Sequence, residues 1–131
     1  MLKLSGRRPS DLGVREGRFT AAQTWKPNWV SSQVDTGDSH YIAPIKAGGD
    51  AAGVAQRAAK VVAEQARAKV VAHKGAYLHA EFSTALLGFT DDVEFYADGK
   101  VLHVRSSSRL GVRDFNVNRK RVEALRKQLE K

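Results

Sequence analysis

An alternation of apolar and polar residues runs from Lys69 to Leu110, and it constrains the fold more than any other feature of the chain. Such a period of two is typical of strands with one buried face. It predicts strands over 69–73, 76–86, 90–97 and 100–110, with turns at Lys74–Gly75 and Asp98–Gly99. Because an Asp-Gly pair is a strong hairpin signal and the links are short, an antiparallel meander is predicted.

Two helices flank this region of strands. The first is predicted after Asp50, an N-cap that follows two glycines, and its apolar positions recur at intervals of three and four up to Gln65. The second is predicted over 118–131. Its apolar stripe consists of Val122, Leu125 and Leu129.

The N-terminal part of the chain is predicted to be an arm. Glycine and proline punctuate residues 1–38, so we expect an irregular segment that wraps the domain and is pinned by burial of Trp25 and Trp29. The stretch SHYIAPI at 39–45 predicts a short edge strand, because it contains proline. The predicted fold is α+β: one domain over 39–131, with a four- to five-stranded antiparallel sheet and two helices on one face.

The alternation assigns side chains to the two faces of the sheet. The face expected to meet the helices carries Leu78, Ala80, Phe82, Val93, Phe95, Leu102 and Val104. The opposite face carries Tyr77, His79, Glu81, Ser83, Asp92, Glu94, Tyr96, His103, Arg105, Ser107 and Arg109. A face so rich in charge either meets a ligand or forms a network of ion pairs.

Positive charge is concentrated where the last strand leads into the second helix, and the whole chain has a formal net charge of +8. Such a balance favours acidic partners. Strand residues two apart lie about 6.6–6.8 Å from each other, so Arg105, Ser107 and Arg109 could straddle a phosphate-sized group. The helix that follows starts with three basic residues, which need an acidic group because they oppose the helix dipole.

The first hypothesis is therefore a non-enzymatic module that binds a small anionic ligand or an acidic protein. Its candidate binding residues are Arg105, Ser107, Arg109, Asn118, Arg119, Arg121 and Glu81. The second hypothesis is a hydrolase-like or other enzyme that uses Glu81 or His79 as a base beside an arginine-bound anionic substrate. The third is a structural or protein-interaction domain in which Asp91, Asp92 and Glu94 pair with the arginines internally.

Other classes of site and protein are excluded or disfavoured. His79, Glu81 and His103 could share a face, but such trios are common without a metal, so neither a metal nor a cofactor is predicted. The chain has no cysteine, which excludes disulfides and thiolate metal sites.

The chain also has no apolar run of about 18 residues and no signal-peptide core, so a cytoplasmic protein without a membrane span is predicted. Carboxylates on the polar face would repel a phosphate backbone, which disfavours nucleic acid. The oligomeric state stays open.

Several blocks of the sequence resemble one known family. The stretch YLHAEFSTALLGFTDDVEFYADGKVLHVRSSSRLGVRDFNVNRKRVEALR at 77–126 is similar to the C-terminal signature of the uncharacterised domain-of-unknown-function family 1499, and DLGVREGRF, KPNWVSSQ and HYIAPI resemble its N-terminal blocks. Members occur in bacteria and plastids, and the resemblance implies no established activity. The family typically has two cysteines where this chain has Gln23 and Trp29, so any thiol role is absent here. The matching signature positions include Glu81, Asp91, Asp92, Glu94, Arg105, Ser106, Arg109, Asn118, Arg119 and Arg121.

Overall fold

The computed structural model describes residues 9, 11–20, 27–84, 89–110 and 116–131. Within these residues the chain forms seven strands and two helices. The strands are β1 (Val14–Arg15), β2 (Arg18–Phe19), β3 (Trp29–Ser31), β4 (Ala68–Lys74), β5 (Tyr77–Ser83), β6 (Thr90–Ala97) and β7 (Leu102–Ser108). The helices are α1 (Ala51–Ala63) and α2 (Val117–Leu129).

Five of these strands form one antiparallel sheet in the order β3-β7-β6-β5-β4. The strands β4 to β7 are neighbours in chain order, which confirms the predicted meander. Gly99 lies in the tight turn between β6 and β7 with a φ of +97°, a conformation that L side chains rarely adopt. The strands β1 and β2 form a separate two-stranded ribbon.

Both helices pack on one side of the sheet, which we call the helix face. The seven apolar residues that the alternation assigned to this face are all buried there: Leu78, Ala80, Phe82, Val93, Phe95, Leu102 and Val104. The same core cluster includes Val54, Ala58 and Val62 of α1 and Val122, Leu125 and Leu129 of α2. The fold is therefore α+β, as predicted.

The opposite side of the sheet is the arm face, because the β1–β2 ribbon and its flanking residues lie against it. The backbone N–H of Gly13 donates to Glu94 of β6. The ring of Tyr96 lies so close to Gly17 that a Cβ added to this glycine would be 3.7 Å from it. The described residues of the arm thus cover part of the sheet's charged face.

A local sequence signal accounts for the start of α1, but none caps α2. The Asp50 side chain accepts a hydrogen bond from the N–H of Gly53 at 3.0 Å, which confirms the predicted N-cap of α1. The helix α1 ends at Ala63, and Arg67 adopts a left-handed φ of 58° immediately before β4. Asn116 occupies the N-cap position of α2 without a capping bond from its side chain.

Among the residues that the structure describes, neither helix is long and apolar enough to cross a membrane.

The structure corrects the prediction of an edge strand over 39–45. Within that segment, Tyr41 and Ile45 make only isolated bridges, to Ser31 and Leu102 respectively. The edge position belongs instead to β3, whose Trp29 is 4 % exposed and pairs with Ser107 of β7. A three-residue strand is too short to produce a visible period, which is why the sequence did not reveal it. Trp25, the other predicted anchor, lies outside the described residues.

Candidate functional site

The sheet separates the arginines that the sequence grouped into one binding site. Arg105 and Arg109 extend over the arm face, where they bond to Glu94 and Asp92 of β6. Arg121 lies on the helix face, where it bonds to Asp91. Because successive strand residues point to opposite faces, Asp91 and Asp92 receive arginines from opposite sides of the sheet.

Arg105 and Glu94 form the first cluster on the arm face. The two residues are opposite each other on neighbouring strands, and Arg105 Nε donates to Glu94 Oε1 at 2.8 Å. Their side chains are 5 % and 1 % exposed, so water screens this ion pair weakly. The other carboxylate oxygen of Glu94 accepts from Tyr77 Oη and from the N–H of Gly13, each at 2.7 Å.

The same arginine also holds the N-terminal arm. Its terminal nitrogens donate to the carbonyl oxygens of Thr20 and Asp11, and its guanidinium lies over the ring of Phe19 at 5.3 Å from the centroid. Both kinds of contact use the planar geometry and the multiple donors that distinguish arginine from lysine. Arg105 therefore joins the ribbon to the sheet.

Arg109 organises the second cluster on the arm face. Its Nε and Nη2 donate to the two oxygens of Asp92 at 2.8 and 2.9 Å, a bidentate arrangement. The same Nη2 donates to Glu81 at 2.6 Å. His79 Nε2 lies 2.7 Å from Asp92 Oδ1, and both of these residues are buried. The cluster therefore combines one arginine, one histidine and two carboxylates.

The protonation of these groups follows from their surroundings. Burial by itself would raise the pKa of Asp92, but hydrogen bonds from Arg109 and His79 outweigh it, so the pKa lies below its ordinary value. The bond to Asp92 raises the pKa of Arg109. Burial, together with the charge of Glu94, raises the pKa of Tyr77, whose phenol therefore remains a hydrogen-bond donor.

A third cluster, on the helix face, pairs one of the three basic residues at the start of α2 with a carboxylate. Arg121 donates to Asp91 at 2.6 Å, and its guanidinium lies 5.1 Å from the centroid of the Phe82 ring. The side chains of Arg121 and Asp91 are 12 % and 4 % exposed. An internal carboxylate thus supplies the compensation that a cation near a helix N-terminus requires.

Asn118 is fully buried and takes part in four hydrogen bonds, two of which join α2 to β7. Its Oδ1 accepts from Ser106 Oγ at 2.7 Å and from Arg121 Nη1 at 3.0 Å. Its Nδ2 donates to the carbonyl of Asn28 at 2.9 Å and to Ser108 Oγ at 3.0 Å. These bonds use the full capacity of the amide.

The two remaining predicted binding residues, Arg119 and Ser107, contact different segments of the chain. Arg119 donates to the carbonyl oxygens of Tyr41 and Ser39 at 2.9 and 3.1 Å, which fixes the segment before α1 to α2. Ser107 lies between β3 and β6, opposite Trp29 and Asp92. The structure therefore brings Arg109 and Glu81 together and joins Arg121 to Asn118, but it does not assemble the predicted set into one site.

Among the residues that the structure describes, the group that could hold a metal differs from the trio considered in the sequence. His79, Glu81 and Asp92 each offer a ligand atom within 4.8 Å of the others. However, Arg109 donates to both carboxylates, so its guanidinium already supplies a cation there. His103 lies elsewhere on the arm face, with its ring nitrogens near Ser32 and Asp98.

The predicted set of binding residues omitted two buried polar residues that these clusters use. Ser106 is completely buried on the helix face and Asn28 is 1 % exposed. The alternation contained a signal for Ser106, because it places a hydroxyl in line with the apolar residues Leu102 and Val104. A buried hydroxyl needs a partner, and Asn118 is that partner. No comparable signal marked Asn28, whose bond to Asn118 joins residues 90 positions apart.

The fold and its clusters define a small α+β domain with paired charges on both faces of its sheet. The family described as Protein of unknown function (DUF1499) matches residues 20–129. The chain belongs to this family, which confirms the resemblance seen in the sequence. No curated protein and no solved structure matches the chain.

Proposed function

We propose that this domain is a non-enzymatic interaction module that binds an acidic partner with exposed basic side chains, while its buried arginines stabilise the fold. The pairing of those arginines supports the proposal. Arg105, Arg109 and Arg121 each have a nitrogen between 2.5 and 2.8 Å from a carboxylate oxygen. This arrangement agrees with the hypothesis of an internal ionic network.

The energetics of the clusters argue against a small-anion site at the predicted residues. An anion at Arg109 would compete with Asp92, whose side chain is 1 % exposed. Depriving a buried charge of its partner costs about 3–5 kcal/mol. The small-anion site at Arg105, Ser107, Arg109, Asn118, Arg119, Arg121 and Glu81 is therefore the alternative that the experiment must exclude.

The net positive charge of the chain lies outside the buried clusters. The clusters contain four carboxylates, from Glu81, Asp91, Asp92 and Glu94, and three guanidiniums, which together carry one negative charge. Because the formal net charge of the chain is +8, the rest of the protein carries +9. A surplus of this size favours association with acidic partners and makes it dependent on salt.

A thermal-shift screen tests the proposal against the small-anion alternative. The panel contains phosphate, sulfate, nucleotides, dicarboxylates and soluble phospholipids, and Arg105→Ala and Arg109→Ala are measured in parallel. We expect both variants to unfold at lower temperature and no small anion to stabilise the wild type selectively. A ligand at 100 times its dissociation constant would add about 2.7 kcal/mol. A selective shift of that kind, lost in a variant that stays folded, would contradict the proposal.

The acidic partner is tested by titrating a labelled oligoglutamate peptide into the protein at low salt. We expect binding that weakens as salt is added, because exposed charges are screened. A neutral oligoglutamine peptide of the same length is the matched control. Equal affinity for the two peptides, or no binding of either, would contradict the proposed function.

The enzyme hypothesis also stays a prediction. Its two candidate bases are engaged, since Glu81 accepts from Arg109 and His79 bonds to Asp92. His79 is 4 % exposed, which limits direct contact with a substrate. A screen of esters and phosphomonoesters against the wild type and His79→Gln would test it. We expect no turnover that the variant lowers.

A further inference from the structure

We propose that the outer edge of β4 binds an acidic, extended peptide segment as an additional strand of the sheet. This inference deepens the proposed function and rests on it, because it assigns the acidic partner to one surface. Recognition by strand addition combines hydrogen bonds to the backbone with side-chain contacts at alternate positions.

The two edges of the five-stranded sheet differ in how they are covered. On the β3 side, the N–H of Ser31 donates to His40 and its carbonyl accepts from Ile42, at 2.9 and 3.1 Å. A following segment of the chain therefore closes that edge. On the other side, β4 pairs only with β5 among the described strands. Its outer edge carries backbone groups of the kind that pair with another strand.

The open edge is strongly basic. β4 contains Lys69, His73 and Lys74 and no carboxylate, and Arg67 directly precedes it. All four of these residues are exposed. Within the described part of the chain, neither lysine nor Arg67 forms an ion pair. These positive charges are therefore part of the net charge that lies outside the internal clusters.

The basic residues of the β4 edge determine which kind of strand can pair with it. Lysine on an edge strand discourages pairing between identical molecules, because like charges would face one another. A second copy of this edge is therefore repelled. A segment rich in glutamate or aspartate would instead place opposite charges beside Lys69 and Lys74. The same residues that prevent self-association thus select an acidic strand.

The register of β4 also predicts an alternation in the bound segment. Lys69 and Lys74 are opposite Glu81 and Tyr77, so their side chains lie on the arm face. Ala68 and Val70 share the helix face and pack against the core. An added strand would therefore carry acidic residues toward the arm face and apolar residues toward the helix face. The irregularity between Val70 and Ala72 divides the edge, which favours a short segment.

The test uses fluorescence anisotropy with labelled peptides of about eight residues at low salt. The first peptide alternates Glu and Val. The second has the same sequence but N-methyl groups on alternate backbone nitrogens, which keep its charge and remove the donors needed for strand pairing. The oligoglutamate peptide is measured again, as a reference for binding by charge alone.

Charge-swap variants show which surface of the protein binds the acidic peptide. Lys69→Glu combined with Lys74→Glu alters the β4 edge, and Lys120→Glu combined with Lys127→Glu alters the exposed side of α2 by the same amount. Circular dichroism confirms that both variants stay folded. We expect the edge variant and the N-methylated peptide each to weaken binding about tenfold or more, while the α2 variant has less than a threefold effect.

Two results would overturn this inference and leave the proposed function intact. In the first, the N-methylated peptide binds as well as its parent. In the second, the α2 variant weakens binding as much as the edge variant does. Failure of the wild type to bind any acidic peptide, including oligoglutamate, would instead reject the proposed function together with the inference.

Discussion

The arm-face clusters and the edge of β4 carry the same kind of charge in opposite surroundings. Arg105 and Arg109 have side chains 5 % and 7 % exposed, and each lies within 2.8 Å of a carboxylate. Lys69 and Lys74 are exposed, and no described carboxylate pairs with them. A net charge of +8 cannot distinguish these regions, because the role of a charge depends on its burial and its partner.

The difference has a direct energetic meaning. Breaking a buried ion pair by removing one partner costs about 3–5 kcal/mol, whereas an exposed pair contributes about 0–1 kcal/mol. Substitutions in the clusters should therefore change the free energy of unfolding, and substitutions at the β4 edge should leave it almost unchanged. Denaturation of variants from both regions measures this difference.

The largest effect is expected for Arg121→Met. The substitution keeps an unbranched apolar side chain but leaves Asp91, whose side chain is 4 % exposed, without its cation. We expect a loss of about 3–5 kcal/mol in the free energy of unfolding, measured by urea denaturation. Lys74→Met is the matched control and should change this free energy by less than about 0.5 kcal/mol. Equal effects of the two variants would remove the distinction between the regions.

A smaller loss is expected for Asn118→Ala. The variant leaves the buried hydroxyl of Ser106 and the carbonyl of Asn28 without the amide that bonds to them. The carbonyl of Asn28 keeps its bond from the N–H of Ser108, and Ser106 Oγ still accepts from Arg121, but the Ser106 hydroxyl loses its acceptor and all four bonds of the amide are lost. We therefore expect a loss of about 2–3 kcal/mol in urea denaturation. The control is Gln128→Ala, because Gln128 is an exposed residue of the same helix. A loss below 0.5 kcal/mol for Asn118→Ala, about that of a surface substitution, would contradict the bonding described for Asn118.

The Asp92 cluster predicts a loss of stability in acid. The folded pKa of Asp92 lies below its ordinary value, which is about 3.9 in an unfolded chain. Between these two values the unfolded chain binds more protons, so stability falls as the pH falls through this window. Asp92→Asn should unfold more readily at neutral pH and show a flatter stability profile below about pH 4.

The measurement for Asp92 is urea denaturation at a series of pH values between about 2 and 7. Asp35→Asn removes an exposed carboxylate outside the clusters and should retain the wild-type profile. If Asp92→Asn also retained that profile, Asp92 would not be stabilised by Arg109 and His79.

The smallest effect is expected for Tyr77→Phe. Loss of the bond from the phenol to Glu94 should cost about 1 kcal/mol. Because burial raises the folded pKa of Tyr77, this residue makes the wild type less stable as the pH rises above about 10, its unfolded value. Tyr77→Phe should lose that share of the alkaline decline, and Tyr96→Phe should retain it. The reverse pattern in alkaline urea denaturation would contradict the assigned bond.

The local parts of the fold could be predicted from the sequence. The alternation in β5 to β7 predicted which side chains face the core, and Asp50 predicted the start of α1 through a bond to a residue three positions away. The strand β3 was missed, because it has three residues and depends on pairing with a strand over 70 positions later. Edges of this kind are determined by tertiary contacts rather than by periodicity.

The candidate site was predictable in composition but not in arrangement. The sequence indicated that Arg105 and Arg109 share a face with Glu94 and Asp92, and the structure pairs them there. The predicted binding set nevertheless joined Arg121 to them, although its helix was expected on the other face of the sheet, where the structure bonds Arg121 to Asp91. The sequence did not predict the arm's carbonyl groups at Arg105, since backbone acceptors carry no signature in the sequence.

A double-mutant cycle on Arg105 and Glu94 tests the central claim most directly. Urea denaturation gives the free energies of unfolding of the wild type, Arg105→Met, Glu94→Gln and the double variant. If the arginine is an internal structural element, each single variant should lose about 3–5 kcal/mol, and the double variant should lose about 1–3 kcal/mol less than the sum. Single variants as stable as the wild type, with no coupling between them, would show that the buried arginines do not hold the fold together.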